Sequence, residues 1–124
     1  MAKFLDKLRR RRDQRLVIDW PVQADAPDGA PVSFAGRDVS SSGIRLVGRD
    51  NEQFRRVMAE DGHARFGLHI PGQPGPVWVR ASLCWGLGPP GRYTTGWQFH
   101  RPPWRLRRAL TKLEKSSIPP DAPV

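Results

Sequence analysis

Two short stretches of this sequence carry side chains suited to binding chemistry. The first is an arginine run, Arg9-Arg10-Arg11-Arg12-Asp13-Gln14-Arg15, and guanidinium groups bind phosphate oxygens through paired hydrogen bonds. The second contains Asp38, Ser40 and Gly43 just before a strand-like run. A carboxylate and a hydroxyl on a tight turn, beside a glycine that permits close backbone approach, suit a polar planar ligand. We interpret the two stretches as halves of one receptor for an anion and a base.

A guanine nucleotide is the ligand chemistry that fits both stretches. Arginine matches the O6 and N7 edge of guanine as well as phosphate, and it also stacks on base planes. A carboxylate such as Asp38 accepts hydrogen bonds from the ring N–H and the amino group on the other edge of guanine. Taken singly, the arginine run also fits a solvated, polyanion-binding tail, and Asp38-x-Ser40-x-x-Gly43 also fits a capped turn. Their order and their separation by about two short strands make the combination more specific.

Six strand-like segments are available to position these residues. Alternating apolar and polar residues, with Gly and Pro turns between the segments, predict strands at 16–22, 31–35, 44–47, 64–70, 77–85 and 93–99. The polar segment between the third and fourth strands has apolar residues spaced for one turn of helix. After Pro103 an apolar stripe covered by arginine and lysine predicts a second helix. This order of elements is typical of an antiparallel barrel or sandwich.

The net charge of +9 is concentrated at the two ends of the chain. Residues 1–15 carry seven basic and two acidic side chains, and residues 101–115 carry six and one, whereas residues 16–100 carry eight of each. The predicted barrel is therefore neutral, and residues 2–10 have the pattern of a short basic amphipathic helix. Such charge placement fits either a nucleic-acid footprint or a small phosphorylated ligand. It also permits a membrane-surface role, although the apolar face is small.

The sequence disfavours several classes of function. His63, His69 and His100 lack metal-ligand spacing, and neither a nucleophile elbow nor a phosphate loop is present. We therefore predict no catalytic residues, no metal and no cofactor. No apolar run is long enough for a transmembrane span, and the start of the chain lacks a secretory signal. The single cysteine, Cys84, fits a reducing compartment and is predicted to be a buried or half-buried structural thiol.

The sequence resembles the PilZ domain family. The resemblance rests on Arg11-Arg12-x-x-Arg15, followed by Asp38-x-Ser40-x-x-Gly43 at the head of a strand. It continues in Ser82-Leu83-Cys84-Trp85, which is similar to the family's apolar strand ending in tryptophan. It ends in Thr95-Gly96-Trp97-Gln98-Phe99, which is similar to the family's last strand. The resemblance covers residues 9 to 114, and its departure is a pair, Ser41-Ser42, that is more polar than the family's usual one.

This resemblance implies an all-β fold, a six-stranded antiparallel split β-barrel with a C-terminal α-helix and a basic N-terminal arm. The chain then divides into the arm at 1–15, the barrel and helix at 16–115, and a disordered tail at 116–124. The function implied is that of a cytoplasmic bacterial receptor for cyclic di-GMP, a second messenger. The receptor would be a monomer or weak dimer that signals to a protein partner which the sequence does not name.

The resemblance also implies a set of ligand contacts by position: Arg11, Arg15, Asp38, Ser40 and Gly43, with Arg10, Arg12 and Trp85 as further contacts. The arginines would grip phosphate and the guanine edge, Asp38 and Ser40 would hydrogen-bond guanine, and Gly43 would let the ligand reach the backbone. The Trp85 side chain would either stack near a base or pack in the core.

Ligand binding is predicted to order the arm. Arginines repel one another, so a ligand with two phosphates would neutralise them and draw residues 1–15 onto the barrel. Two alternatives stay open. One is a small β-barrel that binds RNA or DNA through its basic ends and stacks bases on its aromatic residues, which Asp38 disfavours because a carboxylate repels phosphate. The other is a PilZ-type adaptor that binds no nucleotide.

Overall fold

The structure, a computed structural model, describes residues 14–49, 51–59, 61–87 and 93–116. These residues form six strands and two helices: β1 (Leu16–Asp25), β2 (Pro31–Val39), β3 (Gly43–Gly48), α1 (Asn51–Val57), β4 (His63–Leu68), β5 (Val77–Leu87), β6 (Tyr93–His100) and α2 (Trp104–Ser116). All six predicted strands are present, and so are the helices predicted after the third strand and after Pro103; the helix pattern at residues 2–10 lies outside the described residues. Residues 1–13 of the predicted arm and 117–124 of the predicted tail lie outside the described residues.

The strands close into one antiparallel barrel in the order β1-β2-β3-β6-β5-β4. Strand β4 pairs back onto β1 through Leu68 and Val22, which completes the cylinder. Closure gives each of these strands a neighbour on both sides, although β1 and β4 meet over only two residue pairs. The predicted all-β, six-stranded barrel with a C-terminal helix is therefore confirmed. Within the described ranges, neither helix combines the length and apolar character that crossing a membrane requires.

Strand alternation fills the barrel interior. In β1, every second residue from Leu16 to Ala24 is buried and the residues between them face outwards, apart from half-buried Gln23. The same period of two places Phe66 and Leu68 of β4 in the core, as their spacing predicts. Such a barrel holds a continuous apolar core, because the inner positions of all the strands meet at its axis.

Both helices add apolar side chains to this core. Helix α1 contributes Phe54, which is almost fully buried and stacks on Phe34 at 4.5 Å between ring centroids. Helix α2 is amphipathic and buries Leu106, Ala109 and Leu110, while its basic residues lie on the exposed side. The hydrophobic effect, at about 25 cal/mol per Å² of buried apolar surface, therefore holds the helices against the barrel.

Two local features differ from the sequence predictions. Strand β2 continues through Asp38, so this carboxylate lies on a strand and not on a tight turn. Pairing on both sides, with Val17 of β1 and Arg45 of β3, overrides the weak strand propensity of aspartate. In β5, an irregularity between Leu83 and Trp85 places Cys84 at the surface. The prediction of a buried or half-buried thiol is wrong, because a bulge breaks the inside–outside alternation.

Candidate functional site

A single cross-strand row on the outer wall of the barrel carries the site. Consecutive strand pairings align Val17, Asp38, Arg45, Gly96 and Trp85 across β1, β2, β3, β6 and β5. Directly paired residues point to the same face of a sheet. The exposed fractions of 92% for Val17 and 40% for Trp85 show that this face is the outer one. The row therefore presents a carboxylate, a guanidinium and an indole side by side.

Asp38 is held between two guanidinium groups. Arg15, the residue before β1, donates a hydrogen bond from Nη1 to Asp38 Oδ1 at 2.8 Å. Arg45 places Nε 2.6 Å from Asp38 Oδ2, an ion pair whose geometry is not that of a hydrogen bond, because Nε finds no acceptor in its N–H direction. The Asp38 side chain is 16% exposed, whereas both arginines are nearly half exposed. Each carboxylate oxygen thus faces a cation that solvent or a ligand can also reach.

The β2–β3 turn is fixed by Ser40. Its backbone N–H donates to the Gly43 carbonyl at 2.8 Å, and its hydroxyl oxygen accepts from the Ser42 N–H at 3.3 Å. The Phe99 N–H donates to the Ser42 carbonyl, which ties the turn to β6. Ser40 is almost completely buried. Its hydroxyl therefore shapes the turn from within, and the neighbouring Ser42 is the more exposed of the two serines.

Two glycines allow close approaches within the site. A Cβ on Gly43 would lie 2.3 Å from the carbonyl oxygen of Trp97, so β3 and β6 can be this close only because that position is glycine. A Cβ on Gly96 would lie 2.2 Å from Cε2 of Trp85. The indole therefore covers Gly96 on the outer wall and is partly exposed there. Packing in the core, one of the two predicted roles of Trp85, does not occur.

A shallow pocket of about 190 Å³ lies beside this row. Its lining combines one guanidinium, polar groups, glycine backbone and aromatic surface, from Arg15, Ser42, Gly43, Cys84, Trp85, Gly96, Trp97 and Gln98. Among the predicted contacts, the structure brings together Arg15, Asp38, Ser40, Gly43 and Trp85. The predicted contacts Arg10, Arg11 and Arg12 lie outside the described residues.

Sequence reasoning did not assign Arg45 to the site, nor five residues that line its pocket: Ser42, Cys84, Gly96, Trp97 and Gln98. Arg45 lies two residues after Gly43 and alternates with buried Ile44 and Leu46, so the sequence indicates that its side chain points outwards. The sequence does not indicate that Arg45 pairs with Asp38, because that contact depends on the register of β2 against β3. Gln98 reaches the pocket through its pairing with Gly43, which only the barrel closure of β3 with β6 creates. Long-range strand order is not visible in local spacing.

Comparisons with known proteins give one consistent result. No protein-family model matches the sequence, and no curated protein matches it. The PilZ domain of YcgR from Escherichia coli with cyclic di-GMP superimposes with a TM-score of 0.65 at 16% identity, over 87% of this chain and 94% of that one. The chain has the PilZ-domain fold.

Two longer proteins contain the same PilZ fold. The inhibitor of motility MotI from Bacillus subtilis matches with a TM-score of 0.66 at 14% identity, over 88% of this chain and 52% of that one. The complex of MrkH from K. pneumonia with cyclic di-GMP matches with a TM-score of 0.62 at 18% identity, over 88% and 52%. This chain thus spans about half the length of these two proteins, and the likeness concerns the PilZ fold.

Proposed function

We propose that this PilZ-fold protein is a receptor for cyclic di-GMP that acts on a protein partner and catalyses no reaction. The observation that carries the proposal is Asp38, a carboxylate on the outer wall with a cation at each oxygen and a glycine-lined pocket beside it. The fold shared with the YcgR domain and with MrkH, both known with cyclic di-GMP, supports it.

The chemistry of guanine suits this arrangement. Guanine presents a ring N–H and an amino group side by side, and a carboxylate accepts from both. In the proposal Asp38 takes this edge, Arg15 takes a phosphate or the O6/N7 edge, and Trp85 stacks on a base. Ser40 holds the conformation of the β2–β3 turn, and Gly43, which has no side chain, lets the base approach the backbone closely. Arg11, with Arg10 and Arg12, would supply the remaining phosphate contacts.

Ligand binding would break the Arg15–Asp38 contact at little cost. The Arg15 side chain is 46% exposed, and ion pairs this exposed stabilise proteins by about 0–1 kcal/mol. A hydrogen bond between a guanidinium and a phosphate contributes about 1.5–3 kcal/mol. Arg15 thus exchanges one charge-assisted hydrogen bond for another, and guanine takes its place on Asp38.

This exchange links the site to the arm. Arg15 is the residue directly before β1, at the point where residues 1–15 join the barrel. When its guanidinium turns from Asp38 to the ligand, the end of the arm is drawn towards the ligand as well. We propose that the arm then orders over the ligand and forms the surface that a partner recognises. In this proposal the protein works in the cytoplasm, where it meets the second messenger.

Calorimetric titration of the full chain tests the proposal. Cyclic di-GMP should give saturable heat, and GMP and GTP should bind more weakly because neither presents two guanines on a bis-phosphate ring. Single-stranded RNA serves as the competing ligand. An RNA affinity that exceeds that for cyclic di-GMP and falls steeply with salt would support a nucleic-acid-binding barrel instead. Absence of heat with cyclic di-GMP, on folded protein, would overturn the proposal.

A further inference from the structure

A second, larger cleft lies on the wall formed by β4, β5 and β6. Its volume is about 520 Å³, within the range typical of small-molecule sites. We call it the His–Arg cleft and define it by five lining residues: His63, Trp78, Arg80, His100 and Arg101. None of these five residues lines the pocket beside Asp38. The two sites are close along the sheet, because Gln98 of that pocket pairs with Ser82 of β5, whose hydroxyl bonds to His100.

The arginines at the cleft have no carboxylate partner among the described residues. Arg65 of β4 pairs directly with Arg80 of β5, and like charges in such positions repel. The Arg65 guanidinium lies over the Trp78 ring at 4.5 Å from its centroid, a cation–π contact. Across residues 14–49, 51–59, 61–87 and 93–116, no carboxylate lies within ion-pair distance of Arg65, Arg80 or Arg101. An anion in the cleft would relieve this repulsion.

Two imidazoles complete the polar lining. His63 and His100 meet edge to face with ring centroids 4.8 Å apart, and His100 Nε2 bonds to the Ser82 hydroxyl. The Asp61 carboxylate engages Nδ1 of His63 at 2.9 Å, and the His63 backbone N–H holds the pKa of Asp61 below its usual range. Asp61 is thus committed to His63. Nε2 of His63 and Nδ1 of His100 have no partner among the described residues, so they are the ring nitrogens available to a ligand.

Arg101 holds an unfavourable backbone conformation at the rim of the cleft. Its φ of 47° lies in the left-handed region, where it is the one non-glycine residue of the described chain. Glycine would adopt this conformation without strain, whereas side chains with a Cβ are disfavoured there. Strain of this kind is concentrated at functional sites. The arginine side chain at this position therefore suggests a binding role.

We propose that the His–Arg cleft binds a phosphate monoester group. Arg80 and Arg101 would supply charge-assisted hydrogen bonds to the phosphate oxygens. His100 would donate from Nδ1 while its Nε2 accepts from the Ser82 hydroxyl, and His63, whose Nδ1 donates to Asp61, would donate from Nε2 only as an imidazolium. A phosphate monoester carries a charge of about −1.5 to −2 and three acceptor oxygens, so one such group can engage both guanidiniums, which favours it over chloride or a lone carboxylate. The inference is independent of the cyclic di-GMP proposal, because it uses other residues and another class of ligand.

NMR titration of the full chain tests the cleft. Inorganic phosphate, O-phosphoserine and AMP are added separately at constant ionic strength, with acetate as the control anion. At least one phosphate compound should give saturable shifts of the amides of Arg80, His100 and Arg101, and acetate should not. The compound that binds most tightly identifies the source of the phosphate group: inorganic phosphate for a free ion, O-phosphoserine for a phosphorylated protein and AMP for a nucleotide.

Four variants show whether phosphate binding depends on the residues of the cleft. Arg80→Gln should weaken phosphate binding about tenfold or more, whereas Arg37→Gln, at an exposed arginine on β2, should leave it unchanged. Arg101→Gly should weaken binding while it keeps or raises the melting temperature, because glycine relieves the backbone strain. Arg15→Ala should have no effect on phosphate binding. Linear shifts that do not saturate, an equal response to acetate, or unchanged binding by Arg80→Gln would overturn the proposal.

Discussion

Asp38 is the residue on which the proposed guanine site depends. An aspartate directly opposite an arginine on the neighbouring strand would stabilise the barrel only modestly, because both guanidiniums around it are nearly half exposed. The same exposure lets a ligand compete for each partner. Asp38 differs from the exposed pair of Asp19 and Arg37 because its partner Arg15 lines the pocket beside the row, whereas neither Asp19 nor Arg37 lines either site.

The Trp85 indole covers Gly96 on the outer wall, so a change at either residue affects the surface that is proposed to stack on a base. We expect Trp85→Ala to weaken cyclic di-GMP binding roughly 5- to 150-fold, since stacking of a base on an aromatic ring contributes about 1–3 kcal/mol. Gly96→Ala should weaken it as well, because the added Cβ would displace the indole that covers this position. Calorimetry on the single and double variants measures both effects.

The double variant tests whether Gly96 affects binding only through Trp85. Once Trp85 is absent, the extra methyl group at position 96 has no indole to displace, so Trp85→Ala/Gly96→Ala should bind no more weakly than Trp85→Ala alone. Trp104→Ala is the matched control, since Trp104 is also exposed but lies on α2. Additive losses in the double variant, or an equal loss in Trp104→Ala, would contradict a stacking role for Trp85.

At the scale of elements, the β2–β3 hairpin and its junction with β6 position the site. The turn is closed by Ser40 and joined to β6 through the Phe99 N–H, while Gly43 lets the two strands approach. The Ser40 and Phe99 N–H groups make backbone-to-backbone contacts, and the Ser40 hydroxyl adds one side-chain contact within the turn. These contacts fix the backbone at Asp38 relative to the pocket.

Gly43→Ala tests this junction. The new Cβ would meet the Trp97 carbonyl oxygen, a backbone atom that cannot rotate away, so β3 and β6 must move apart. We expect the free energy of unfolding to fall by about 1–3 kcal/mol, measured by urea denaturation. Ser33→Ala, at an exposed position on β2, is the control and should stay within about 0.5 kcal/mol of the parent. An unchanged stability of Gly43→Ala would contradict the close approach.

Local sequence patterns predicted the elements better than their contacts. Alternation was enough for six strands, and the outward direction of Arg45 followed from its buried neighbours Ile44 and Leu46. The extension of β2 through Asp38 was not predictable, because it depends on partners in β1 and β3. The surface position of Cys84 depends on a bulge against β6, and bulges leave little trace in local composition.

At the scale of the whole molecule, closure of the barrel brings distant segments into two neighbouring sites. Pairing of β3 with β6 joins Arg45 to Gly96, and pairing of β5 with β4 and β6 assembles the His–Arg cleft. The sequence motif indicated the first site because its residues are contiguous in two short stretches. The second has no such motif, since His63, Arg80 and His100 meet only through strand register.

Ordering of the arm is the prediction at this scale. NMR relaxation of residues 1–15 should change on addition of cyclic di-GMP, because Arg15 and Arg11 turn to the phosphates and draw the arm onto the barrel. Residues 117–124 serve as an internal control and should not respond. Arg15→Ala should suppress the change. Identical relaxation of the arm with and without saturating ligand would contradict the proposed signalling step while leaving ligand binding intact.

The most direct measurement compares cyclic di-GMP titrations of the parent, Asp38→Ala and Asp19→Ala by calorimetry. Both variants remove one carboxylate from an ion pair with arginine on the outer wall, but only Asp38 lies at the proposed guanine site. We predict that Asp38→Ala binds about tenfold or more weakly, because charged hydrogen bonds contribute about 1.5–3 kcal/mol, and that Asp19→Ala binds like the parent. Equal affinities of Asp38→Ala and the parent would contradict recognition of guanine by Asp38.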